Sequence, residues 1–266
     1  MASCTMAATA EAEPLRWQGH WGDAQPAEYA AAISAGALAA YIHYLPVLER
    51  DWGRSEPDEA VRGVLRLQRP GARRVAAEVS NALFYGLVLQ PIVDGLVTLA
   101  RDDHAGWQML VLDGEVLALS ALTAATLQHV AGRARPFVSH CQQPVAPAYV
   151  QDCAASAPDE NHQSFLSGHA LYSAAGAGLT CAHHGALPVY GGGAPDAVAC
   201  IVAASATVVQ GALRVMADRH WTSDVVVAVA VGFGIGYGLP QLRYGKEAAV
   251  RPAARSVMLP LYGSAF

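Results

Sequence analysis

Long apolar runs separated by short polar stretches dominate this chain, and no stretch of any length alternates apolar with polar positions. Six runs, at about 29–48, 81–100, 107–127, 168–187, 196–213 and 224–239, are apolar enough to form long buried helices. Each approaches the roughly 20 residues that a helix needs to cross a bilayer. They are rich in Ala, Gly and Val, small residues that let membrane helices pack closely where no hydrophobic force drives them together. Without alternating runs, sheet content should be negligible. The expected fold is all-α, a transmembrane bundle of about six long apolar helices.

The polar positions refine this picture. Asp94, Asp113 and Glu115 fall inside the second and third runs, where ionisable groups are expensive unless they face the protein interior. A water-soluble helical bundle is therefore the competing reading. Between the first two runs, 49–80 carries Arg50, Arg54, Arg62, Arg66, Arg69, Arg73 and Arg74 among acids, which predicts a solvated or interfacial helix. The connection 131–167 holds Pro136, Pro144, Pro147 and Pro158; a loop this long is usually functional or disordered. The stretch 183–195, with three successive glycines at 191–193, reads as a plain turn. No composition shift marks a boundary, so 1–266 reads as one domain. It has an N-terminal extension (1–27), the arginine-rich segment (49–80) and a chemistry-bearing core (128–224).

Composition supports the membrane. Charged residues are 15% and hydrophobic residues 53%, with a mean hydropathy of +0.24, against about a quarter charged in ordinary soluble domains. A net charge of -5 with the single lysine Lys246 excludes nucleic acid as a partner, which would need a dense basic face. The five cysteines form no C-x-x-C pair or zinc-like spacing. Cys141 and Cys153 share one hydrophilic connection; a disulfide in an oxidising compartment and two free thiols both fit. Residues 1–28 lack a basic start followed by an apolar core, so membrane entry is expected to use internal segments.

Candidate chemistry lies in three blocks. In the first, Gln128 and Arg135 are seven residues apart, almost two helical turns, so both project from one helical face, while Pro136 leaves Arg135 at a helix rim. Arg133, two residues earlier, should point elsewhere. The second is Ser167-Gly168-His169 at the head of an apolar run. Ser167 can cap the helix, Gly168 permits close approach, and the free backbone N–H groups favour an anion beside His169. The third runs from Arg214 to His220 and Asp224. One helical turn separates the last two, so the carboxylate is placed to orient the imidazole. An oriented imidazole beside a guanidinium suits nucleophilic attack on a phosphoryl group. His129, His140, His162, His183 and His184 belong to none of these motifs and read as solvated loop or helix-end residues.

In order and spacing, these blocks resemble the signature K-x6-R-P, P-S-G-H, S-R-x5-H-x3-D of the type 2 phosphatidic acid phosphatase and vanadium haloperoxidase superfamily. The likeness covers Gln128 to Asp224, and the apolar runs fit the membrane branch, whose site lies at one end of the core helices. The resemblance implies that Arg135, Ser167, Gly168 and Arg214, with Gln128, hold phosphate. It also makes His169 the general acid and His220 the residue that carries a phosphohistidine, oriented by Asp224. No catalytic metal is implied, and vanadate only if the haloperoxidase chemistry applies. Gln128 stands where the signature has lysine, Leu166 where it has proline and Leu213 where it has serine.

The expected activity is hydrolysis of a lipid phosphate or diphosphate by an integral, multi-pass membrane phosphatase. A vanadate-dependent haloperoxidase and a catalytically impaired phosphate-binding protein are the alternatives, the latter supported by Gln128. Orientation divides the signals: the arginine-rich segment argues for a cytoplasmic site under the positive-inside rule, whereas Arg243, Lys246, Arg251 and Arg255 would hold the C-terminus inside. Membrane members of the resembled family favour the second arrangement, with the site on the non-cytoplasmic face.

Overall fold

The computed structural model describes residues 14–50, 52, 55–141, 144–155 and 158–244. These form eight α-helices: α1 (Pro26–His43), α2 (Glu56–Leu65), α3 (Pro70–Leu99), α4 (Asp103–Ala131), α5 (Val150–Ala155), α6 (Gly168–Ala186), α7 (Ala194–Met216) and α8 (Thr222–Tyr244). No strand occurs among the described residues; an isolated bridge joins Arg50 to Arg133. Lys246, Arg251 and Arg255, invoked for orientation, lie outside the described residues, as does Arg54.

Helix α6 is the axis. Nearly every residue from Ala170 to His184 is buried, and α3, α4, α7 and α8 pack around it, with α1 outside against α4. The cause is side-chain size: a helix dominated by Ala and Gly lets neighbours approach backbone to backbone. A Cβ on Gly176 would lie 2.2 Å from the Leu87 carbonyl oxygen, and one on Gly236 2.1 Å from that of Ala175.

The sequence predicts six spans, whereas four described helices, α3, α4, α7 and α8, are long and apolar enough to cross a membrane. Helix α6 carries His169, His183, His184, Ser173 and Thr180. Their polarity is tolerated because α6 is enclosed by protein. Helix α1 is diluted by Glu28, Ser34, Tyr29 and Tyr41. At 30 residues, α3 is about 45 Å long, longer than the roughly 30 Å of a hydrocarbon layer, and its first turns, where Arg73 pairs with Asp152, belong to a polar cap. The ends of α1, α4 and α7 and the starts of α3, α6 and α8 share that cap.

The arginine-rich segment is not simply solvated. Arg62 donates to Asp218 at 2.6 and 2.8 Å, and Arg73 to Asp152 at 2.6 Å; all four side chains are buried. A buried guanidinium needs such a partner, because desolvation without one costs far more than burial returns. The connection after α4 contains α5 and three short 3-10 turns, and Cys141 and Cys153 are bonded across it. A second disulfide, Cys181–Cys200, staples α6 to α7.

The other end of the bundle also departs from expectation. His183 and His184 are buried, not solvated. His183 bridges Asp113 and the Tyr244 hydroxyl, and His184 bridges Asp196 and Asp94. The acids inside the apolar runs thus face partners within the bundle, as their cost in lipid requires.

Candidate active site

A pocket of about 700 Å³ opens in the polar cap. Gln128, Arg135, Gly168, His169, Arg214 and Arg219 line one end, and small side chains of α1, α3 and α4, among them Ala39, Ala77, Ala121 and Ala125, line the other. Members of all three sequence blocks, up to 86 positions apart in the chain, therefore meet in one pocket, whereas Ser167, His220 and Asp224 are not among the residues that line it.

Arg135 does not ride on α4. The helix stops at Ala131 because Gly132 takes the left-handed conformation (φ 56°). A side chain there would also collide with the Leu48 carbonyl, 1.3 Å from a Cβ, so only glycine fits. Gln128 and Arg135 reach the same pocket from a helix and from the extended strand of chain after it. Arg135 uses Nε on the Glu160 carbonyl, 2.8 Å away, and its two terminal nitrogens have no protein partner among the described residues. Burial and the neighbouring Arg219 lower its pKa to about 10, which leaves it cationic at neutral pH.

Arg214, at the end of α7, is anchored by Ser80 and Asn81 of α3 at 3.3 and 3.0 Å, and its buried Nε has no partner among the described residues. Ser167 caps α6, its hydroxyl accepting from the Ala170 N–H at 3.4 Å. The Gly168 and His169 N–H groups have no protein partner among the described residues, as expected for a helix start that receives an anion. The His169 ring rests against Phe84, with centroids 4.7 Å apart. Gln128 donates Nε2 to the Leu166 carbonyl at 3.0 Å and lies 3.1 Å from where a Gly168 Cβ would sit. The amide thus ties α4 to the loop before α6.

His220 sits in the turn before α8, not within it, and its ring does not donate to Asp224 as expected. Nδ1 instead faces the Ser164 carbonyl at 2.9 Å. A carbonyl only accepts, so Nδ1 carries the hydrogen and Nε2 the free lone pair. Burial, then the charges of Arg135 and Arg214, hold the imidazole well below the usual histidine pKa; the Ser164 contact opposes this only in part. The turn is pinned at Asp218, which takes φ 61° and accepts from Arg62 and the Tyr149 hydroxyl.

Asp224 is fully buried and accepts from Arg133 at 2.5 Å, the Ser164 hydroxyl at 2.6 Å and the Trp221 N–H at 3.0 Å. Arg133, expected to point away, turns inward because the helix has ended; its other terminal nitrogen meets Asp58 of α2 at 2.7 Å. Asp58 also accepts from the Ser223 N–H and hydroxyl. Burial raises its pKa, but the Ser223 and Arg133 hydrogen bonds outweigh that and hold it below the usual carboxylate value. Sequence reasoning missed Ser164, Arg133 and Asp58. For Arg133 the Gly132 break was the available signal.

Together these features define a helical bundle with a cationic pocket lined by Arg135, Arg214, Arg219 and the head of α6. Residues 110–247, just over half of the chain, match the PAP2 superfamily, and the chain belongs to that superfamily. No curated protein and no solved structure matches it. Family and apolar helices together mark a membrane phosphatase-type protein.

Proposed function

We propose that this protein is an integral membrane phosphatase that hydrolyses a lipid phosphate or diphosphate through a phosphohistidine on His220. The observation that carries the reading is the pocket itself: Arg135, Arg214 and the α6 N-terminus at one end, and an alanine-lined wall of α1, α3 and α4 at the other. Such a pocket suits an amphipathic molecule with a phosphate head.

In this reading the two guanidinium groups and the free N–H groups of α6 hold the phosphate oxygens and offset charge that develops in the transition state. Nε2 of His220 attacks phosphorus, the bond to the leaving oxygen breaks, and that oxygen takes a proton from His169. Bound phosphate beside His169 supplies the negative charge that favours its protonated form. In the second half His169 removes a proton from water, whose oxygen attacks phosphorus; the N–P bond breaks and inorganic phosphate leaves. No metal takes part in these steps.

A second reading, a phosphate-binding protein with impaired turnover, draws on Gln128. Its amide is engaged by Leu166, and it brings no charge to the phosphate where the family signature has lysine. The deciding experiment is phosphate release from lipid phosphates and diphosphates by detergent-purified protein with chelator present, comparing the parent with His220→Ala. Release by the parent and its loss in the variant are expected. Binding without release in a folded parent supports the second reading, and peroxide-dependent halide oxidation on adding vanadate would replace both.

A further inference from the structure

We propose that Ser164 is the positioning residue through which Asp224 controls His220, and that Asp58 of α2 anchors this control through Arg133. The inference rests on His220 being the nucleophile. In a histidine oriented directly by a carboxylate, the acid accepts from the ring. Here the acid is already committed to Arg133, Ser164 and Trp221, and the ring hydrogen goes to a peptide carbonyl.

That peptide is Ser164, and it is held at three points. Its N–H donates to the Arg133 carbonyl at 2.9 Å, its hydroxyl donates to Asp224 at 2.6 Å, and its carbonyl accepts from His220 Nδ1 at 2.9 Å. Residues 164, 167 and 224 are each fully buried, so water does not substitute for a missing partner at low cost. Arg133 contributes twice, by its carbonyl to Ser164 and by its guanidinium to Asp224. The guanidinium is clamped on its far side by Asp58 and lies over the Trp52 and Trp221 rings at 5.2 and 5.3 Å.

The chain of contacts Asp58, Arg133, Asp224, Ser164, His220 therefore runs from a helix outside residues 110–247 to the nucleophile. Its chemical consequence is a fixed tautomer. As long as the Ser164 carbonyl faces Nδ1, the lone pair stays on Nε2. Once the peptide is free to rotate, the ring samples the other tautomer and other orientations, and a misplaced nucleophile loses rate steeply while the phosphate-holding arginines are untouched.

The test uses the full-length protein in detergent, with steady-state kinetics on a lipid phosphate that the parent hydrolyses and 15N-histidine NMR of the imidazole nitrogens. Ser164→Ala is expected to lower kcat about 100-fold with KM within about threefold, and to show exchange between tautomers at His220. Ser164→Thr keeps the hydroxyl and should recover kcat to within about tenfold of the parent. Asp58→Asn, near-isosteric and remote from the pocket, should lower kcat about tenfold in the same KM-independent way, and it decides the matter if Ser164→Ala does not fold. Parent kcat in folded Ser164→Ala, or a loss confined to KM or to thermal stability, overturns the proposal. The NMR arm separates the two ideas: a fixed tautomer in the parent that is lost in Ser164→Ala supports the positioning even if His220→Ala leaves phosphate release intact, a result that sinks only the phosphohistidine.

Discussion

At the scale of single residues, His220 links protonation to stability. It is 2% exposed, and burial with Arg135 and Arg214 holds its folded-state pKa well below the ordinary value. An unfolded chain titrates this ring near pH 6.5. Between the two values the unfolded state binds a proton that the folded state does not, so stability falls as pH drops below about 6.5, by up to about 1.4 kcal/mol per pH unit from this residue. Thermal unfolding in detergent between pH 8 and pH 5 should show a shallower acid loss for His220→Asn than for the parent; equal slopes would mean that the ring is not held neutral. The residues that sequence could place are those whose spacing is set by a helix end: His169 follows a cap, Arg135 precedes a proline, and Arg214 closes α7. Ser164 and Asp58 were not legible, because their partners lie 31 to 165 positions away and no local period encodes such a contact; Arg133 was signalled only by the Gly132 break. Gln128 was visible as a missing charge, but its engagement with Leu166 depends on the fold of the intervening loop.

At the scale of elements, hydropathy located the long helices, since each buries or exposes an apolar stripe over many turns, but it could not rank them. Helix α6 is less apolar than α3 or α8 and yet the most enclosed, because its glycines and alanines trade side-chain area for proximity. This trade is directional along α8. Gly232 and Gly236 face α6, where an added Cβ would lie 2.1 Å from the Leu171 and Ala175 carbonyl oxygens, while Gly234 and Gly238 face open space. Alanine at 232 or 236 should force α8 off α6, at about 1 to 3 kcal/mol each. It should also weaken phosphate release, because α8 begins at the turn carrying His220. Alanine at 234 or 238 should instead be neutral or stabilising by up to about 1 kcal/mol. Detergent melting curves of the four variants check the pattern, and a loss at 234 or 238 equal to that at 236 would mean that the helices are not packed in this register.

At the scale of the whole molecule, the polar cap and the His183–His184 network occupy opposite ends of α6, so the bundle has a chemical end and a structural end. Charge patterning alone leaves open which compartment the chemical end faces, and the fold weakens one of its two signals: Arg62 and Arg73 are buried structural cations, which removes them from the solvent-facing count of the 49–80 segment. The Cys141–Cys153 bridge adds an independent argument, since it crosses the connection on the pocket side, and disulfides persist where the compartment is oxidising. Both cysteines are half-buried and within reach of an aqueous reductant; Cys200 of the second bridge is half-buried too, so the labelled sites are mapped by peptide mass spectrometry. In intact cells expressing a Cys4→Ser variant, a membrane-impermeant phosphine followed by an impermeant maleimide should therefore label Cys141 and Cys153 from outside. Labelling that appears only after permeabilisation would put the pocket in the cytoplasm, and the bridge would then have to form against a reducing pool, leaving lipid phosphates of the inner leaflet as the accessible substrates.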